Sequence, residues 1–347
     1  MSFVPRGLPT GIGSLPFKDE KLAVSFVLEN LPELPFWPQL PRKDHRESMY
    51  VQYSEGLPGV TFSDRRMFID TGRDLIQEME EFYQAYLEGK GAKAAFGPGY
   101  AEGFYAFLKH PPFGEREGLA LAVKGQVTGP VSFGLAVTDQ NKRLILYDQI
   151  YMDMVVKNLQ LKARWQEERL RELHPQTIIF VDEPYLSTYG SGYFNYDRET
   201  VVRYIREVME GIQGLKGVHC CGNTDWSILL STPVDIISFD AYAYSKSFSL
   251  YAQPLADFLA RGGVIAWGIV PATQEEAKKE DARSLLARME EGMGFLRAQG
   301  LSWTELVEQA LITPACGLGS QGEEGAGDIF RLTREVSDLF REKYRLD

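Results

Sequence analysis

The sequence predicts an α/β chain whose strands close into a (β/α)8 TIM barrel, with an insertion over the barrel mouth. Three observations predict it. Short β-branched or apolar runs alternate with longer stretches of 3.6-residue periodicity, the pattern of parallel strands covered by helices. Eight such runs can be picked out, the number that closes a barrel. The unusual polar residues (Ser14, Gln126, Thr128, Asp182, Glu183, His219, Cys221, Asp240 and Cys316) gather where those runs end, and barrel enzymes build their sites at that edge.

The elements follow in chain order. A strand over Pro9 to Leu15 leads to a helix over Asp19 to Asn30, which opens on an aspartate suited to an N-cap. The second strand covers Pro35 to Leu40. Residues 42–118 contain helical pieces, the clearest being Thr71 to Leu87, and glycine-rich turns. They read as an insertion and not as a second domain, so residues 1–347 form one barrel domain. The remaining strands are Leu119 to Val127, Thr177 to Val181, Gly217 to Cys221, Val234 to Phe239, Gly263 to Ile269 and Ala310 to Pro314. Helices over Arg143 to Leu173, Glu199 to Ile212, Ala252 to Arg261, Gln274 to Gln299 and Asp328 to Tyr344 lie between and after them.

Composition narrows the function. The 347 residues are 44% hydrophobic and 24% charged, which excludes a disordered or fibrous chain. Thirty-seven Lys and Arg face 48 Asp and Glu, a net charge of −11 that disfavours nucleic acid as a partner. No apolar run approaches the ~18 residues of a membrane span, and the first residues lack a signal peptide's apolar stretch. A cytoplasmic protein with no membrane partner is expected. Three cysteines are a poor basis for a disulfide framework.

Those cysteines carry the chemistry. Side chains alternate along a strand, so His219 and Cys221 share one face and Cys220 takes the other. Cys316 ends the last strand, and Asp240 ends the strand after the His/Cys pair. An imidazole, two thiolates and a carboxylate make a mixed set that suits zinc, with Asp240 either a ligand or an orienting partner of His219. The plainer alternative is buried cysteines acting as small hydrophobes beside a hydrogen-bonded core histidine. A site with fewer than four protein ligands keeps a position for substrate. Its sulfur would favour a thiol, whose bound form is the thiolate nucleophile.

Five motifs in order resemble the catalytic barrel of cobalamin-independent methionine synthase. Gly11-Ile12-Gly13-Ser14-Leu15-Pro16 is similar to that family's I-G-S-F/L-P, and Lys124-Gly125-Gln126-Val127-Thr128-Gly129-Pro130 to its K-G-x-x-T-G-P. Val181-Asp182-Glu183-Pro184 is similar to its D-E-P, and His219-x-Cys221 and Pro314-Ala315-Cys316-Gly317-Leu318 to its zinc motifs. The resemblance spans the chain but not that enzyme's separate N-terminal half. His219-Cys220-Cys221-Gly222-Asn223-Thr224 looks most like the H-x-C-G-N-T form of methylcorrinoid:thiol methyltransferases. These share a superfamily with uroporphyrinogen decarboxylase.

The resemblance implies a zinc-dependent thiol S-methyltransferase making methionine from homocysteine. Zinc would lie on His219, Cys221 and Cys316, with Asp240 where the family has Glu. Ile12, Gly13 and Ser14 would hold the amino acid's carboxylate end, and Asp182 its ammonium. Asp182 and Glu183 would be the catalytic carboxylates. Lys124, Gln126 and Thr128 would face the methyl donor. Two departures bear on that donor. Ala136 stands where the family has a tryptophan that stacks on folate, removing a contribution of about 0.5–1.5 kcal/mol. Ala266-Trp267-Gly268-Ile269-Val270-Pro271 stands where it has a catalytic histidine. A methylcorrinoid, delivered by a corrinoid protein, fits these departures better than methyltetrahydrofolate, because cobalt leaves with its electron pair and needs no proton. Three alternatives stay open: another small thiol as acceptor, a decarboxylase of the uroporphyrinogen type, and a non-catalytic zinc-binding barrel.

Overall fold

The computed structural model describes residues 3–64, 66–89, 95–97, 99–109, 120–192 and 196–346. Among the described residues there are nine strands: β1 (Leu8–Pro9), β2 (Val60–Ser63), β3 (Arg66–Ile69), β4 (Val123–Thr128), β5 (Thr177–Asp182), β6 (Leu215–Cys220), β7 (Ile236–Phe239), β8 (Val264–Val270) and β9 (Ala310–Pro314). Seven form one parallel sheet in the order β1-β9-β8-β7-β6-β5-β4. Residues 35–40 fill the eighth position and close the ring. Phe36 bridges to Lys124 on one side and Gln39 to Ser14 on the other. Lys124 N donates to Pro35 O at 2.9 Å, and Gln39 N donates to Gly13 O at 3.0 Å. The chain is therefore a (β/α)8 barrel, with a strand at each of the eight predicted places. The predicted start of the third, Leu119, lies outside the described residues.

Two shells of apolar side chains follow from strand alternation. Leu8, Leu34, Ala122, Ile178, Phe180, Ile236, Val264, Ala266 and Leu311 form one cluster, the lower barrel interior. Cys220, Phe239, Trp267 and Ile312 sit one residue out of phase. They join the larger cluster between sheet and helices. Each strand thus has an apolar partner on both faces, as a parallel sheet requires.

Helix boundaries differ from the sequence reading in instructive places. The predicted helix from Gln274 to Gln299 is two, Gln274–Ala277 and Ala282–Arg297. Asp281 caps the second by accepting from Arg283 N and Ser284 N, while the Ser284 hydroxyl accepts from Asp281 N. The predicted Arg143–Leu173 helix begins at Gln149, after Asp148 accepts from Tyr151 N. Between the 35–40 strand and β4 lie a helix over Met49–Ser54, the β2–β3 hairpin, and helices Ile76–Leu87 and Glu102–Lys109. The Tyr53 hydroxyl donates to the Gln126 carbonyl, and Asn158 Nδ2 donates to Tyr53 O at 2.8 Å, tying Met49–Ser54 to β4 and to helix Gln149–Arg171. No helix among the described residues is long and apolar enough to cross a membrane.

Candidate metal centre

Strand register builds the site. Thr128 pairs with Asp182, Asp182 with His219, and His219 with Ser238, so four inward positions form one row across β4, β5, β6 and β7. One residue past β6, Cys221 continues the inward phase of His219, while Cys220 turns outward into the helix-facing core. On the far side, β9 runs into Ala315, whose N–H donates to Val270 O at 2.8 Å, next to a register shift between Gly268 and Val270. The extra residue, Ile269, is on β8, so β8 bends beside the chain that leads to Cys316.

These three side chains meet. His219, Cys221 and Cys316 each offer a ligand atom, and those atoms all lie within 4.8 Å of one another. His219 is 3% exposed. Its Nδ1 lies 3.0 Å from Ser238 Oγ. With Nδ1–H donating to that hydroxyl, Nε2 keeps its lone pair, and it has no hydrogen-bond partner among the described residues. The Cys316 side chain beside Cys221 holds the Cys221 thiol well below its ordinary range, with His219 adding to the effect; the same contact pushes Cys316 up. Two adjacent thiols beside an imidazole suit a divalent cation once they are deprotonated. A buried imidazole lone pair beside two thiolates fits zinc by donor type.

Asp240 is not among the three. Its carboxylate caps helix Ala241–Phe248, accepting from Ala243 N at 2.9 Å, and burial raises its pKa to about 6. The orienting partner expected of Asp240 is instead Ser238, two residues earlier on the same strand. Glu183 also has other work. It is fully buried and accepts from Val131 N (3.0 Å), Ser132 N (2.8 Å) and Ser132 Oγ (2.7 Å), with burial raising its carboxyl to about 7. A Cβ on Gly129 would lie 2.1 Å from Glu183 Cδ, so the glycine admits this clamp. With both oxygens committed, Glu183 locks the end of β5 to helix Pro130–Ala136 and is not placed to act on substrate.

Asp182 differs. Burial raises its carboxyl to about 6, opposed by the Lys124 charge, and its Oδ1 is buried without a partner among the described residues. Lys124 lies deeper, fully buried. Its Nζ donates to Ile12 O at 2.5 Å and stands 4.4 Å from the Phe180 ring centroid. It therefore fixes the 11–14 segment from below. That segment meets the end of β9: Leu318 N donates to Ser14 O at 2.9 Å, and Gly319 N donates to Ser14 Oγ at 3.3 Å. Tyr50 was not visible as a site residue in the sequence. Its ring centroid lies 6.2 Å from that of Tyr185, just past β5; burial raises its phenol, and Tyr185, Glu183, Cys221 and Asp182 push it the same way.

No family profile and no curated protein matches this chain. Solved structures do. A B12-independent methionine synthase from Shewanella sp. W3-18-1, in complex with selenomethionine, superposes with a TM-score of 0.59 at 13% identity, covering 97% of this chain and 99% of that one. A putative vitamin-B12-independent methionine synthase from Listeria monocytogenes gives 0.59 at 14% identity, covering 94% and 86%. At such identity the likeness shows a shared fold along nearly the whole chain.

Proposed function

We propose that this chain is a zinc-dependent methyltransferase that methylates the thiolate of homocysteine, with a methylcorrinoid, presented by a corrinoid protein, as donor. The observation that carries the proposal is the meeting of His219, Cys221 and Cys316 at one point beneath the barrel mouth. These residues would hold zinc, which when bound lowers the pKa of a thiol at its remaining position so that thiolate prevails at neutral pH.

The chain's own residues do the rest. Ser238 holds His219 in the tautomer whose Nε2 is a ligand. Asp182 Oδ1 supplies a buried acceptor for the substrate's ammonium. The 11–14 segment, pinned by Lys124, lies against residues 318–319 next to Cys316, where a carboxylate end can be held. In the transfer the S–CH3 bond forms as the donor–CH3 bond breaks, and the electron pair leaves with cobalt. No proton donor is required, which agrees with Ala266 in the apolar interior and Trp267 turned outward at the end where a histidine is missing.

The test offers zinc-replete protein homocysteine with methylcobalamin or with methyltetrahydrofolate, alongside X-ray absorption at the zinc edge. Expected are methionine from the corrinoid arm and one added sulfur neighbour when homocysteine binds. Turnover from the folate arm alone would overturn the donor assignment. An unchanged zinc shell and no methionine from either arm would favour a non-catalytic barrel.

A further inference from the structure

The interior of an eight-strand barrel is just wide enough for side chains to fill, so a corrin macrocycle cannot enter it. A donor of that kind must lie across the mouth with its cobalt above the opening, touching residues on the rim beside Cys221. An aromatic ring suits that contact, because it buries a large flat area against another conjugated system. Tyr185 stands at such a place and is 41% exposed.

Its position follows from the chain on both sides of it. Glu183, one residue past β5, donates its N–H to His219 O at 2.8 Å, so the chain leaves β5 alongside the His219 strand. Tyr185 then enters the short turn Pro184–Thr188, which rests on the residues after Cys221. Thr224 Oγ1 donates to Leu186 O at 2.8 Å, and a Cβ on Gly222 would lie 2.4 Å from Ser187 Cβ. The Tyr185 N–H donates to Ser132 Oγ at 3.0 Å, while the Ser132 hydroxyl donates to Glu183 Oε2 at 2.7 Å. The buried Glu183 carboxylate therefore acts on Tyr185 through one serine. Tyr50 reaches Tyr185 from helix Met49–Ser54, with ring centroids 6.2 Å apart and planes at 45°. A third ring stacked between two others needs parallel faces about 7 Å apart, two ordinary contact distances. The pair is too close and too tilted for that. It offers no slot to an inserted pterin, only an outer surface to a ligand lying across the rim.

We propose that the exposed face of Tyr185, backed by Tyr50, receives the corrin macrocycle of the methyl donor, and that Glu183 is a positioning residue that holds Tyr185 there through Ser132. This rests on the thiol-methylation reading above, and it adds the residues that select the donor.

The test measures methylcobalamin binding to zinc-replete protein by equilibrium dialysis, and the separate KM values of donor and homocysteine in methionine formation. Tyr185→Ala is expected to weaken methylcobalamin binding roughly threefold to tenfold, the worth of an aromatic contact, and to raise the donor KM by the same factor while the homocysteine KM stays put. Tyr185→Phe and Tyr185→Trp, which keep a ring, should restore both donor values. Ser132→Ala should raise the donor KM by a smaller factor, whereas a merely structural serine would lower the folded fraction and leave both KM values alone. If Ser132→Ala does not fold, as its melting curve would show, Glu183→Gln takes its place. Donor affinity indifferent to Tyr185→Ala, or a homocysteine KM that moves as far as the donor KM, overturns the contact. So does a Tyr185-dependent KM for methyltetrahydrofolate with none for methylcobalamin. A donor KM unchanged in the folded Ser132 or Glu183 variant overturns the positioning role. Tyr185-dependent binding of methylcobalamin without methionine formation keeps the contact and sinks the thiol reading. Methionine formed with a donor KM indifferent to Tyr185 does the reverse.

Discussion

Along β5, Ile178 and Phe180 fill the lower barrel interior with apolar atoms, and two residues further Asp182 ends the strand with a buried oxygen that no described residue satisfies. The contrast repeats on β9, where Leu311 is apolar core and Thr313 carries an orphaned hydroxyl. Two residues of strand advance only about 6.6 Å, so a single side-chain layer separates the two regimes. The lower layer stabilises by removing apolar surface from water, about 25 cal/mol per Å². The upper layer keeps unpaired groups at about 1–3 kcal/mol each, a cost that a ligand can return. Stability and chemistry are thus assigned to different heights of the same strands.

That separation can be broken or sharpened by substitution. Phe180→Ala is expected to cost about 3–5 kcal/mol in urea unfolding while the folded fraction still binds one zinc; loss of zinc in proportion to stability would merge the layers. Next come the neighbours Cys220 and Cys221. Removing an outer partner of a metal ligand costs roughly 10–100-fold in affinity, so Cys221→Ser, which removes a proposed ligand, should exceed about 100-fold. Cys220→Ala should leave zinc affinity unchanged and destabilise by about 1 kcal/mol, the usual scale for a core substitution. Competition with a chromogenic chelator measures both, and equal zinc loss in the two would refute the assignment by strand face. Ser238→Ala is expected to weaken zinc about tenfold by releasing His219.

The smallest effect concerns a buried carboxylate that is fully served. Glu47 accepts from Leu40 N at 3.1 Å and Glu102 N at 3.0 Å, yet burial raises its pKa from 4.5 to about 7. Because its folded value lies above its unfolded one, the folded state holds more protons between those limits. Its contribution therefore favours folding as pH falls from about 7 toward 4.5, and is lost above. Glu47→Gln should flatten that part of the stability profile, measured by urea midpoints across the range. An unaltered profile would show that Glu47 does not titrate there.

Much of the barrel was legible because its signals are local. Eight apolar runs mark the strands, and the two-residue spacing of His219 and Cys221 fixes their shared face. The joining of Cys316 to them was readable from its place at the end of the last strand and from the ordered motifs, because closure of the ring brings strand ends far apart in sequence together. The β2–β3 hairpin was missed although Val60-Thr61-Phe62-Ser63 and Arg66-Met67-Phe68-Ile69 flank a turn with Asp64 at φ 54°; two short strands in a polar segment give a weak pattern. Ser238 carries no motif, and its role depends on register with His219. Glu183 reads as a catalytic carboxylate beside Asp182, but consecutive strand residues face opposite ways. Its partner, helix Pro130–Ala136, is too short for periodicity to reveal.

The strand that brings Cys316 to the site is the last along this sequence, and it slots between β8 and the opening strand β1. During synthesis on the ribosome, His219 and Cys221 emerge early and can offer an ion only two protein atoms. The third arrives once β9 has docked and the ring has shut. An ion held by all three would therefore be captured late, after the ring has shut, whereas in small zinc modules the metal itself drives folding.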